Sequence, residues 1–232
     1  MFYFDPLYLL FALPALALGL FAQWKVKSAY DKYTRVANER GMTGMQAAQR
    51  LLSVNGLSGI SIEGTAGDLT DNYDPRSKTL RLSAGVANAP SVAALGIVAH
   101  EVGHAMQDAT GYAPLKVRGA IVPAVQFGSF LGPILFFVGL LINATGLAWL
   151  GVAAFAMALV FAVLTLPVEL DASRRALAML SANGLVSRSE ADGVKSVLTA
   201  AALTYIAAVA QALSQLLYYV FILTGTNRRR DD

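Results

Sequence analysis

Two 22-residue stretches, Ile121–Ile142 and Leu147–Val168, carry no charged residue, and only Asn143-Ala144-Thr145-Gly146 separates them. As helices each rises about 33 Å, enough to cross the hydrocarbon core of a bilayer. Hydrocarbon offers no hydrogen-bond partners, so a segment placed there must satisfy its backbone internally, and a helix does so. The pair therefore predicts an antiparallel helical hairpin. The chain before Ile121 and the chain after Val168 then lie on the same side of the membrane, whichever side that is. Pro123, Pro133 and Pro167 are expected to kink the hairpin or mark its ends.

Two further runs point the same way. Leu7–Trp24 is uncharged and just long enough to span, and a less apolar run, Val197–Leu223, offers a fourth span at about 200–223. With 56% hydrophobic and 14% charged residues, and a mean hydropathy of +0.53, the chain is too apolar for an ordinary soluble domain. The fold class is mainly α, a polytopic helical membrane protein. Only Asp5 precedes the first run among charged residues, so a cleaved signal peptide is not expected. Lys25, Lys27, Lys32, Arg35 and Arg40 come directly after it, which places the residues beyond Trp24 in the cytoplasm, with Trp24 as an interfacial anchor. Thr204, Gln211, Gln215 and Tyr218 recur on one face of the last run, which should meet protein or a wet cavity rather than lipid. If that run crosses, Arg228, Arg229 and Arg230 fall outside, against the positive-inside rule. Without cysteine the chain can form neither a disulfide nor a thiolate metal site. A net charge of +3, with basic residues beside apolar runs, gives no support to nucleic-acid binding.

The sizeable soluble portion runs from about residue 25 to 119. Thr43 with Gln46 three residues on reads as a capping box for a helix to Val54, ended by Asn55-Gly56. Ile60–Glu63 is a short strand, Asp71–Arg76 a turn, and Thr79–Ser83 alternates as a half-buried strand does, so a short β-hairpin or sheet is expected. Asp68, Asp71 and Asp74 fit turn chemistry rather than a calcium loop. Ser91 is the expected N-cap of the next helix and Gly111 its terminator. Glu190, Asp192 and Lys195 read as a solvated loop and helix start.

That next helix holds His100-Glu101-Val102-Gly103-His104, and these are the only two histidines of the chain. Four residues apart on a helix, both imidazoles share one face, with the glutamate beside them. Two neutral imidazoles and an adjacent carboxylate are the elements of a hydrolytic zinc site, in which Glu101 is general base and acid. A third protein ligand is needed, and with no further histidine or cysteine it must be a carboxylate. Glu169 comes just after the returning arm of the hairpin at the membrane edge, where an ionisable residue is expensive and marks function. Ser173 shares its helix face, whereas Asp171 points about 200° away, so Glu169 is chosen as ligand and Ser173 as its neighbour in support. The alternative is a polar cap, with Glu169 and Asp171 paired to Arg174 or Arg175. Gly96 and Gly103 leave room for another backbone on the motif helix. Arg174, Arg175, Tyr73 and Tyr112 are candidate oxyanion donors. The strand Thr79–Ser83 is expected to offer an edge for an extended substrate.

The N-terminal span, the segment LTDNYDPRSKTLRLS, then HEVGHAMQ, the hairpin and LPVELDASRRAL together resemble the YugP-type bacterial family of neutral zinc metallopeptidases over nearly the full length. More distantly the chain is similar to membrane zinc proteases of the HtpX and CAAX-prenyl type, in which a Glu-x-x-x-Asp helix comes after the hairpin and its glutamate binds zinc. Glu169 matches that glutamate, and Ser173 stands in the place of the aspartate. The resemblance implies one integral membrane domain with a small zincin-like α+β portion, a Zn2+ cofactor, and a protein or peptide substrate met at the lipid bilayer. It implies a bacterial cytoplasmic membrane location, with the site on the cytoplasmic side by the charge distribution. The competing class is a non-catalytic, zinc-stabilised membrane scaffold, which has no need of Glu101.

Overall fold

The computed structural model describes residues 6–231, with side chains from 7 to 225. In chain order its elements are α1 (Pro6–Tyr33), α2 (Gly44–Val54), β1 (Ser61–Thr65), β2 (Asn72–Asp74), β3 (Thr79–Ser83), α3 (Ala84–Ala87), α4 (Val92–Ala109), α5 (Ala113–Leu141), α6 (Thr145–Ala182) and α7 (Arg188–Asp231). Four of these, α1, α5, α6 and α7, are long and apolar enough to cross a membrane. The helices outrun the uncharged runs: α5 begins eight residues before Ile121, and α6 continues through Pro167 to Ala182 without a break.

The chain divides into two compact units, one of residues 1–22, 117–166 and 204–232, the other of 23–116 and 167–203. In the first, Leu10, Phe127, Phe130 and Leu141 stand exposed, as lipid-facing side chains do and as those of a soluble helix rarely do. The turn between α5 and α6 uses Asn143 at φ 58°, a left-handed position that asparagine tolerates. The two helices then approach backbone to backbone through glycine. A methyl group added at Gly139 would lie 2.4 Å from the Ala148 amide nitrogen, one at Gly151 2.4 Å from that of Phe136, and one at Gly128 2.4 Å from the Ala154 carbonyl oxygen. Small residues serve this purpose in membranes, where packing rather than water drives helices together. Phe136 stacks on Tyr219 of α7 at a centroid distance of 4.1 Å, closing a small apolar cluster with Val152 and Leu223. The polar face of α7 meets α1 in part: Tyr218 packs edge-on against Tyr8 at 5.0 Å, and Ser214 donates to the Phe11 carbonyl.

The second unit has an apolar core of Leu51, Leu80, Leu82, Val98, Val102 and Leu180 with their neighbours. Helix α2 forms as its sequence predicts. Thr43 Oγ1 accepts from the Gln46 amide at 3.3 Å while Gln46 Oε1 accepts from the Thr43 amide at 3.0 Å. Ala47, Ala48, Leu51 and Leu52 turn inward, and Gly56 at φ 71° ends the helix. The Ser91 side chain caps α4 by accepting from the Ala94 amide at 3.2 Å, and Gly111 at φ 66° stands just past its end.

Three expectations are corrected. The sheet order is β1-β3-β2, with β1 parallel and β2 antiparallel to β3, so Thr79–Ser83 is the central strand and offers no edge to a substrate. The residues read as a turn supply β2, and the turn proper is Pro75–Lys78, held by Asp74 accepting from the Arg76 amide at 2.9 Å. Glu190 is buried rather than solvated: it accepts from the amides of Ser187 and Glu39, each at 2.7 Å, closing the start of α7 onto the loop after α1.

The glycine seam makes a prediction. Gly139→Val should lower the melting temperature of the purified protein by the equivalent of about 1–3 kcal/mol, the range for overpacking. Gly146→Ala, where an added methyl meets nothing within 4 Å, should not. Equal melting of the two variants would show that the close approach is dispensable.

Candidate metal centre

The site is assembled within the second unit, from α4 and the part of α6 beyond Leu166. On α4, His100 and His104 lie one turn apart, their rings edge-to-face with centroids 4.7 Å apart. Glu169 Oε2 lies 3.2 Å from His100 Nε2 and 3.4 Å from His104 Nε2. One ligand-type atom of each residue falls within 4.8 Å of the others, and Glu169 is 3% exposed. Asp171 is not in this cluster. It is also buried, but accepts from Arg174, from Arg175 Nε at 2.6 Å and from Gln107 Nε2 at 3.0 Å. The two arginines are thus engaged by Asp171, and Glu169 faces the imidazoles.

The approach of α6 to α4 depends on Gly103. A methyl group there would sit 2.6 Å from the Ala172 carbonyl oxygen, and at Gly96 one would meet Val194 of α7 at 3.3 Å. The remaining nitrogen of each imidazole is engaged from behind. His100 Nδ1 lies 3.1 Å from Ser173 Oγ, on the helix face expected for it. His104 Nδ1 lies 3.0 Å from Gln107 Oε1.

Gln107 was not singled out in the sequence. It is 0% exposed, and its amide nitrogen donates to the Val168 carbonyl at 2.7 Å and to Asp171. Both partners are acceptors, so the nitrogen must be the donating end and Oε1 must face His104. An oxygen there requires His104 Nδ1 to carry the proton, which leaves the Nε2 lone pair directed at the cluster. The available signal was a glutamine three residues after a histidine in a helix otherwise buried, where a polar side chain must find partners.

Glu101 stands apart from the three. One oxygen accepts from the Tyr73 amide on the outer side of β2 at 3.0 Å. Burial pushes its carboxyl above the usual range, against the pull of the two neighbouring imidazoles. The Tyr73 hydroxyl, a candidate oxyanion donor, is committed elsewhere, donating to Asp108 Oδ2 at 2.7 Å. Lys78 also donates to Asp108, and these two bonds hold that carboxyl below its usual range although burial opposes its charge. Arg174 is largely exposed, and Arg175 lies 5.8 Å from the centroid of the Tyr112 ring while bonded to Asp171.

The donor set fits zinc: two imidazole nitrogens, one held as acceptor by its tautomer, and one carboxylate oxygen, converging on one place. Burial disfavours a protonated His104, yet the hydrogen bond to Glu169 and the nearby carboxylates raise its pKa overall. A divalent cation held by His100, His104 and Glu169 would take the place of that proton.

Fold and site together define a polytopic helical membrane protein with a HExxH helix whose histidines converge on a distal glutamate. A family model described as "Putative neutral zinc metallopeptidase" matches residues 8–224, and the chain belongs to that family. It is 42% identical over 216 residues to the "Putative membrane protease YugP" of Bacillus subtilis (strain 168), covering 93% of this chain and 96% of that one. No solved structure matches it.

The contact at Gly103 is open to test. Alanine favours a helix over glycine by up to about 1 kcal/mol, so a harmless Gly103→Ala would stabilise. The clash with Ala172 predicts a net loss of about 1–3 kcal/mol instead, read by thermal or denaturant unfolding. Stabilisation would mean that α6 gives way freely.

Proposed function

We propose that the chain is a zinc-dependent membrane endopeptidase, with His100, His104 and Glu169 as metal ligands and Glu101 as general base and acid. The observation that carries this reading is the division of labour between two glutamates. Glu169 Oε2 faces both imidazoles, while Glu101 is held aside by the Tyr73 amide. A zinc ion held by these three ligands would supply Lewis-acid polarisation and would lower the pKa of a bound water to about 7. Glu101 takes a proton from the attacking water and returns it to the leaving amine. Burial raises the affinity of Glu101 for protons, the direction that suits a group that accepts one from water and returns it. The Tyr73 amide orients Glu101, and Gln107 and Ser173 orient the two imidazoles. The substrates are membrane or unfolded proteins, which reach a site built on a helix that continues an apolar span.

The test uses the full chain purified in detergent, with zinc counted per chain and cleavage of an unfolded or membrane protein monitored. Glu101→Gln should keep zinc and lose about 10²–10⁴-fold in turnover, the usual worth of a positioned proton-transfer group. Zinc bound with equal cleavage by both proteins would sink the peptidase reading. Glu169→Ala should lose the metal, and retained stoichiometry would place the third ligand elsewhere.

Gln107→Leu predicts a separate effect. Removing the acceptor behind His104 should weaken zinc binding about 10–100-fold, measured by competition with a chelator. Unchanged affinity would reduce Gln107 to a packing role.

A further inference from the structure

A second concave surface lies away from the metal ligands, in the same unit, between the end of α1 and the start of α7. Its volume is about 410 Å³. Lys25, Ser28 and Lys32 line it from α1, and Lys195, Ser196 and Thr199 from α7. Residues 25, 28 and 32 share one helix face, as do 195, 196 and 199, so the two helices present ammonium and hydroxyl donors to a common space. Asp192 is the one carboxylate in the lining, which leaves an excess of two positive charges. Among the described residues the neighbouring Lys27 is paired with Asp31 at 3.5 Å, whereas Lys32 and Lys195 enter no ion pair.

The setting selects the ligand. Lys25 comes directly after Trp24, which is 60% exposed at the end of the uncharged run of α1. The α7 side leads from Lys195 into Ser196–Asn227, 32 residues without charge, and Ala200 and Leu203 continue the lining in that direction. A cationic, hydroxyl-rich pocket that grades into apolar helix surface beside an interfacial tryptophan matches an amphiphile with an anionic head. We propose that this groove binds the phosphate head group of an anionic phospholipid, with its acyl chains along the apolar continuation. The inference rests on the reading of α1 and α7 as membrane spans and is independent of peptidase activity.

Purified full-length protein in neutral detergent is titrated with dioctanoyl phosphatidylglycerol, dioctanoyl phosphatidylcholine or inorganic phosphate, with binding read by native mass spectrometry and by the shift in melting temperature. Phosphatidylglycerol should bind and raise the melting temperature, and the other two should do neither at equal concentration. The double substitution Lys32→Gln and Lys195→Gln should weaken phosphatidylglycerol binding about tenfold or more, whereas Arg50→Gln on α2 should not. The double substitution to arginine should retain it, which separates charge from folding. Zinc content should stay at the wild-type level throughout. Equal affinity of the glutamine variant, equal binding of phosphatidylcholine, or an effect of inorganic phosphate matching that of the lipid would each overturn the proposal.

Discussion

The cluster exists because two helices come closer than side chains permit. At Gly103 the backbone of α4 touches the backbone of α6 at Ala172, and nothing larger than hydrogen fits between. That contact falls one residue before His104 and three after Glu169, so it sets the reach of both. Gln107 fixes the same junction by hydrogen bonding, with one end on α6 and the other on His104. A buried carboxamide is costly unless every bond is made, and here each donor and acceptor has a partner whose chemistry permits one orientation. The geometry of the nitrogen that faces the cluster is therefore set by a residue outside the cluster.

The same constraint governs charge. Three buried or half-buried carboxylates crowd this region, and an uncompensated one would protonate or unfold the site. Each has polar partners: the imidazoles for Glu169, two arginines and an amide for Asp171, and a backbone amide for Glu101, which shares the imidazoles with Glu169. Because the arginines are held by Asp171, they do not compete for Glu169. Helix phase enforces the separation, since residues two apart on α6 point to different faces.

Locality decides which features were legible in the chain alone. The capping box of α2, the cap of α4 and the pairing of two histidines with a glutamate depend on residues within one or two turns of each other. Glu169 was legible despite its distance because the uncharged runs imply a return to the starting side, and because so few ligand-type residues remain. Strand order was not legible: β3 alternates like any half-buried strand, but its central place depends on a parallel partner eighteen residues upstream. β2 carries Asn72 and Asp74 about a single tyrosine, and no periodicity announces a three-residue strand. Glu190 looked solvated because the amide that buries it belongs to Glu39, 151 residues away. The glycines of α5 and α6 are visible as small residues, but which of them meet a backbone depends on helix phase that an apolar run does not fix.

The continuity of α6 bears on how the His-His-Glu cluster is combined with an apolar segment. At 1.5 Å per residue its 38 residues extend about 57 Å, nearly twice the roughly 30 Å of a hydrocarbon core. Pro167 interrupts the hydrogen-bond ladder two residues before Glu169 without ending the helix. The carbonyl of the next residue, Val168, then receives the Gln107 amide, so the ladder is reinforced from α4 near the place where proline weakens it. A carboxylate ligand on a flexible loop would have to lose much conformational entropy to meet the imidazoles. On a continuous helix pinned at Val168 and Ala172, most of that ordering is already done by the fold.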